Sequence, residues 1–136
     1  MQIALYKNGE CIEREEYSGL TSDILLPILH GLIKRGVKKF IYTSGPGSHM
    51  STKISYTLLK TIEIVRDIPF YAISAFDLND GQPIKAIGKL YFIKEKENII
   101  TKKFEERVES NFFMPDSLNG LKLIKSNEPD YHIAAV

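Results

Sequence analysis

What this chain lacks narrows what it can be. It has one cysteine, Cys11, in 136 residues. A lone thiol closes no intrachain disulfide and builds no cysteine-rich zinc site. Cys11 falls beside Ile12 in a predicted strand and reads as a small strand residue, not as a reactive thiol. Basic excess is missing too: 18 Lys and Arg stand against 17 Asp and Glu, for a formal charge of +1. A domain that grips nucleic acid by itself draws much of its affinity from phosphate neutralisation. If this protein serves an RNA, another chain is expected to hold it. No apolar run approaches the ~20 residues of a membrane helix. MQIALYKNGE shows no basic segment leading into an apolar one, so no signal peptide and a cytoplasmic location are expected. No internal repeat or low-complexity tract is visible.

What is present has the balance of a globular domain, with 43% hydrophobic and 26% charged residues, in a chain long enough to bury a core unaided. Residues 2–6 are apolar and β-prone, and Asn8-Gly9 is a strong hairpin signal. Residues 10–17 read as the return strand, whose acidic side chains suit a sheet edge. Over 23–35, Ile24, Leu25, Ile28, Leu29, Leu32 and Ile33 recur at helical spacing. Thr21 or Ser22 is expected to cap this helix, Pro27 to lie near its first turn, and Gly36 to end it. Lys34, Arg35, Lys38 and Lys39 cluster near its end and read as a solvated terminus, where cations are favourable.

A buried strand is expected at 39–43, a second helix over 50–66 with a stripe of Met50, Ile54, Leu58, Ile62 and Val65, and another buried strand at 70–75. Tyr56, Leu59 and Ile64 fall off that stripe. Strand, helix and strand in that order predict a parallel pair, with the hairpin added as an antiparallel edge. Asp77 to Pro83 reads as a loop and a candidate boundary. Residues 88–94 and 99–104 predict a second hairpin, and no regular element is assigned to 105–136. The fold class is α/β, and both helices carry more apolar surface than one core contact uses, a mark of an interface.

The distinctive loop is Ser44-Gly45-Pro46-Gly47-Ser48. It follows a strand and opens a helix, where backbone N–H groups can cradle an anion. It matches neither common phosphate-loop pattern, and a tight strand-to-helix turn that needs glycine is the simpler reading. His30, His49 and His132 are far apart. Ser48 and His49 are adjacent, a poor arrangement for aiming a nucleophile and a base at one point, and no acidic orienter is evident. Glu13, Glu15 and Glu16 run beside Arg14 as a solvated face, while Asp77, Asp80 and Asp116 sit in turn-like sequence. The residues themselves point to no catalytic constellation.

Residues 37–75 resemble the signature region of the TsaB (YeaZ) family. Gly45, Pro46, Gly47 and Ser48 match its GPGSFTG-type loop. Lys53 stands where an arginine is usual, Ile54 matches, and Ile68-Pro69 with Ile73-Ser74 match the exit. Ser22 to Leu29 is similar to the family helix with an LLP motif. IALYKNGE resembles its second strand and hairpin, and EPDYHIAAV its C-terminal segment. The loop here reads GPGSHMS, so His49, Met50 and Ser51 depart from the pattern. The family's preceding strand, with its aspartate–threonine turn, has no counterpart in these residues.

The resemblance implies an actin-like ATPase (ribonuclease H-like) lobe over 1–76, with a mixed sheet and flanking helices, and a second lobe over 77–136 reduced to a hairpin and tail. It implies a non-catalytic scaffold that binds and activates the transferase TsaD in tRNA threonylcarbamoyladenosine synthesis. The ATPase TsaE would join the pair, tRNA would be met only indirectly, and no membrane would be involved. A homodimer through the two helices is a further expectation for the isolated chain. No cofactor is expected on this chain alone, with ATP or ADP reserved for the partner interface. Gly45, Pro46, Gly47, Ser48 and Lys53 are the expected loop site. Leu25, Leu29, Ile54, Leu58 and Ile62 are the expected packing residues of the interface. The alternative is a small anion- or nucleotide-binding module built on the loop.

Overall fold

The computed structural model describes residues 1–47, 49–86, 88–95, 98–108, 111–125 and 128–129. The chain opens with strands β1 (Gln2–Lys7) and β2 (Glu10–Glu16), paired antiparallel. Their turn has Asn8 and Gly9 both at positive φ, 54° and 81°, which is what a tight two-residue hairpin demands. Helix α1 (Thr21–Lys34) follows, then β3 (Phe40–Gly45), helix α2 (His49–Arg66) and β4 (Phe70–Ser74). β3 and β4 pair in parallel, as the strand–helix–strand order predicts.

The end of α1 obeys its sequence signals. Gly36 takes φ 89°, its N–H donates to the Ile33 carbonyl, and the Val37 N–H donates to the Leu32 carbonyl. That is a Schellman closure, with Leu32 and Val37 both packed on the core. The start differs from expectation. Leu20 is the N-cap residue and makes no side-chain cap bond. The Thr21 hydroxyl lies 3.2 Å from that of Ser51 on α2, so it spans two helices instead of closing one. Pro27 lies well inside the helix, beyond the first turn.

One core packs both helices against the β3–β4 sheet. Leu25 and Leu29 of α1, Leu59 and Ile62 of α2, and Phe40, Tyr42, Phe70 and Ala72 of the sheet are its buried members. Tyr42, Tyr56 and Phe70 meet in a triangle of tilted rings with centroids 5.8–6.5 Å apart, a favourable aromatic arrangement. A second small core gathers Ala75, Phe76, Ile84 and Phe92. The stretch from Asp77 on is no plain loop: Ala75–Leu78 is a 3-10 turn, capped by the Ser74 hydroxyl accepting from the Phe76 N–H, and Asn79 behind it is buried. β5 (Ile84–Lys85), β6 (Leu90–Glu95) and β7 (Asn98–Lys103) form an antiparallel sheet that contains the predicted second hairpin.

The expected mixed sheet is not formed among the described residues. Among the described residues the β1–β2 hairpin, the β3–β4 pair and the β5–β7 sheet are separate. β1 pairs with β2 alone, and the far side of β2 is taken by the stretch around Asp116, whose carbonyl accepts from the Cys11 N–H. The outer edge of β4 is met by Ile124, which exchanges two backbone bonds with Ala72. Among the described residues hairpin and parallel pair share no ladder, and residues 111–125 bridge them.

Candidate functional site

β3 delivers the chain into the distinctive loop. Its register with β4 slips between Thr43 and Gly45, so Ser44 is an inserted residue. The Ser44 hydroxyl is buried and donates to the Ile73 carbonyl at 3.5 Å. Gly45 adopts φ 119°, a region a side chain disfavours strongly. It joins Pro46 through a cis peptide bond. Gly45 and Pro46 are buried and Gly47 half-buried. The described part of the loop is therefore packed inward, in accord with the tight-turn reading. Ser48 lies outside the described residues, as does the side chain of His49.

The loop leads into α2, whose first turn carries no acidic side chain. The positive end of that helix dipole is not offset by its own residues. The starts of α1 and α2 lie side by side through Thr21 and Ser51. Lys53, the cation expected near the loop, is exposed. Among the described residues no group of three or more His, Cys, Asp or Glu is placed to hold a metal ion. No helix among them is long and apolar enough to cross a membrane.

The five expected interface residues divide. Leu25, Leu29 and Ile62 are buried members of the main core, which corrects their assignment to a partner surface. Ile54 and Leu58 are half-buried. The stripe expected on α2 is also rotated from its true inner face. Leu59, placed off the stripe, is buried, while Met50 and Val65, placed on it, are 68% and 71% exposed. At ~100° per residue, Met50, Ile54, Leu58 and Val65 fall within about a quarter of the helix circumference. They form one apolar flank beside the buried side. On α1, Leu26 is exposed and Ile24 and Ile28 are half-buried. Thr57 and Thr61 return their hydroxyls to the carbonyls of Lys53 and Thr57 at 2.8 Å, so part of the outward stripe is polar.

Two contacts went unread in the sequence. Arg35, taken as part of a solvated cationic end, makes a bidentate pair with Glu13 at 2.7 and 2.9 Å. Its guanidinium holds the Glu13 carboxyl below the usual glutamate range. Arg14 pairs with Asp116, a hundred residues away in the chain. Opposite charges in distant segments carry no local signal of their pairing.

No family model and no curated protein matches the sequence. Solved structures do match the fold. YeaZ from Pseudomonas aeruginosa aligns over 98% of this chain and 64% of its own, with a TM-score of 0.55 at 14% identity. An uncharacterized protein with similarity to peptidase YeaZ from Pseudomonas aeruginosa aligns over 76% of this chain and 58% of its own, with a TM-score of 0.50 at 16% identity. The chain thus has a divergent YeaZ (TsaB)-like α/β fold. It spans less than two thirds of the length of either structure.

Proposed function

We propose, from that fold, that this chain is a non-catalytic scaffold subunit. It binds and activates a TsaD-type transferase in the synthesis of threonylcarbamoyladenosine at position 37 of tRNA. The observation that carries the reading is the apolar flank of α2, in a fold that resembles YeaZ. Met50 and Val65 are largely exposed there, and Ile54 and Leu58 are half-buried beside them. Apolar side chains grouped on one exposed flank suit a protein–protein contact better than solvent. In this reading α2 supplies the contact and the inward-packed GPG turn sets its angle. A TsaE-type ATPase completes the complex. ATP or ADP binds with the partner's help, and tRNA is held by the partner, in keeping with a net charge of +1.

The test is a calorimetric titration of the chain against the TsaD-type transferase of the same source, followed by a threonylcarbamoyl-transfer assay. Binding at micromolar Kd or tighter, with transfer dependent on the added chain, is the expected result. No binding with or without ATP overturns the reading. In that case, a rise of Tm in inorganic phosphate or nucleotide would point to an anion module at the start of α2.

A further inference from the structure

Residues 111–125 form a strap along the molecule with no regular element of its own beyond isolated bridges. The hairpin grips its backbone with side chains. Gln2 Nε2 donates to the Phe112 carbonyl and Arg14 Nε to that of Met114, both at 3.2 Å, and the Tyr6 hydroxyl donates to that of Pro115. The β2 end adds backbone bonds: Cys11 N–H to Asp116, and Leu118 N–H to Gly9, both at 2.8 Å. The Phe113 N–H donates to Leu78 at 2.8 Å. At the far end, Ile124 and Ala72 exchange bonds of 2.8 and 3.1 Å.

Apolar burial holds this strap only in part, through the half-buried Met114, Pro115, Leu118, Leu121 and Leu123. None of its side chains is buried, and neither core cluster includes one of them. Phe112, Phe113 and Ile124 are about two-fifths exposed, and Asp116, the ionic anchor, is 92% exposed. Segments held by exposed hydrogen bonds open at far lower free energy than packed strands. Ala72 is the point where the two regimes meet. Its side chain is fully buried, yet its N–H serves the strap. Its neighbours Tyr71 and Ile73 turn their N–H groups the other way, toward β3, by the alternation of a parallel ladder.

We propose that residues 111–125 act as a latch that opens as one unit while both cores stay folded. Opening loosens the β1–β2 hairpin against the β3–β4 pair and bares the outer edge of β4. The shared ladder that would otherwise hold hairpin and pair together is absent among the described residues, so the latch carries the coupling together with the Arg35–Glu13 pair and the packing of Met1 on the main core.

The experiment is native-state hydrogen exchange by NMR on the whole chain, with Tyr6→Phe and Arg14→Ala variants. Both remove strap contacts and neither touches a core cluster. The expected result is a common low protection for the amides of Cys11, Ala72, Phe113, Leu118 and Ile124. Tyr71 and Ile73 should be protected at least about tenfold more. Each variant should lower the protection of Ala72 several-fold and leave Tyr71 and Ile73 unchanged. The inference is overturned if Ala72 is as protected as its two neighbours. It is equally overturned if the strap amides exchange at unrelated rates, or if the variants shift all of these amides together.

Discussion

Arg35 at the C-terminal end of α1 clasps Glu13 of β2 with two hydrogen bonds, and so ties the helix end to the hairpin. The pair depresses the Glu13 carboxyl below its ordinary range, chiefly through the side-chain hydrogen bond to Arg35. A depressed acid contributes stability above its unfolded pKa, and the contribution fades as pH falls through the folded value. Arg35→Met is therefore expected to lower Tm slightly at pH 7 and by less at pH 3, as falling pH protonates Glu13 and removes the pair's contribution. Thermal melts of both proteins at the two pH values check this. An equal loss at both would assign the effect to lost packing of the arginine stem.

Leu29 and Leu26 are three residues apart on α1, but only Leu29 is buried. Leu29→Ala should destabilise the chain by about 2–5 kcal/mol, because it removes transfer energy and opens a cavity between α1 and the sheet. Leu26→Ala should change stability by less than about 0.5 kcal/mol. Urea denaturation of the two variants measures the contrast. Similar losses for both would mean that α1 is rotated from the face described.

The Asn8-Gly9 turn, the Schellman end at Gly36, the parallel pair and the second hairpin were all legible, because each rests on residues near one another in sequence. Three features were not. The apolar arc of α2 is wide, and periodicity locates such an arc without saying where its centre lies. Leu59 and Val65 consequently exchanged places between core and surface. The split of the sheets depends on what meets the edges of β2 and β4, and the answer, Asp116 and Ile124, sits in a stretch without periodicity. Thr21 has the chemistry of a cap, but a neighbouring helix offered its hydroxyl another partner in Ser51. Of the candidate site, the turn geometry at Gly45 was foreseen. The division of the five interface residues between core and flank needed the fold.

Gly45 supports this loop through a conformation with φ 119°, far from what a side chain accepts. Gly45→Ala should cost about 1–3 kcal/mol from backbone strain alone. Gly31, inside α1, takes no such conformation and nothing lies within 4 Å of an added Cβ. Gly31→Ala should therefore stabilise by about 0.5–1 kcal/mol. Opposite signs for the two glycines in urea denaturation are the expected outcome. A neutral Gly45→Ala would mean that the turn can relax without strain.

Ile54→Glu separates the scaffold reading from a purely structural role for α2. Ile54 lies on the apolar flank between Met50 and Leu58 and is absent from both core clusters. A carboxylate there stays hydrated in the free chain, so the fold should hold, with a cost below about 1.5 kcal/mol. In a complex that covers the flank the same carboxylate loses its water without gaining a partner. Affinity for the transferase should then fall at least about tenfold, which is 1.4 kcal/mol of binding free energy or more. Thr101→Glu, exposed on β7, adds the same charge away from the flank and should leave affinity within about threefold. Calorimetry on both variants, with circular dichroism to check the fold, reads the difference. If Ile54→Glu binds as tightly as the unmodified chain while folded, the flank is not the contact and another face of the molecule must carry the partner. If both variants lose affinity equally, added negative charge matters wherever it lies and not the apolar flank.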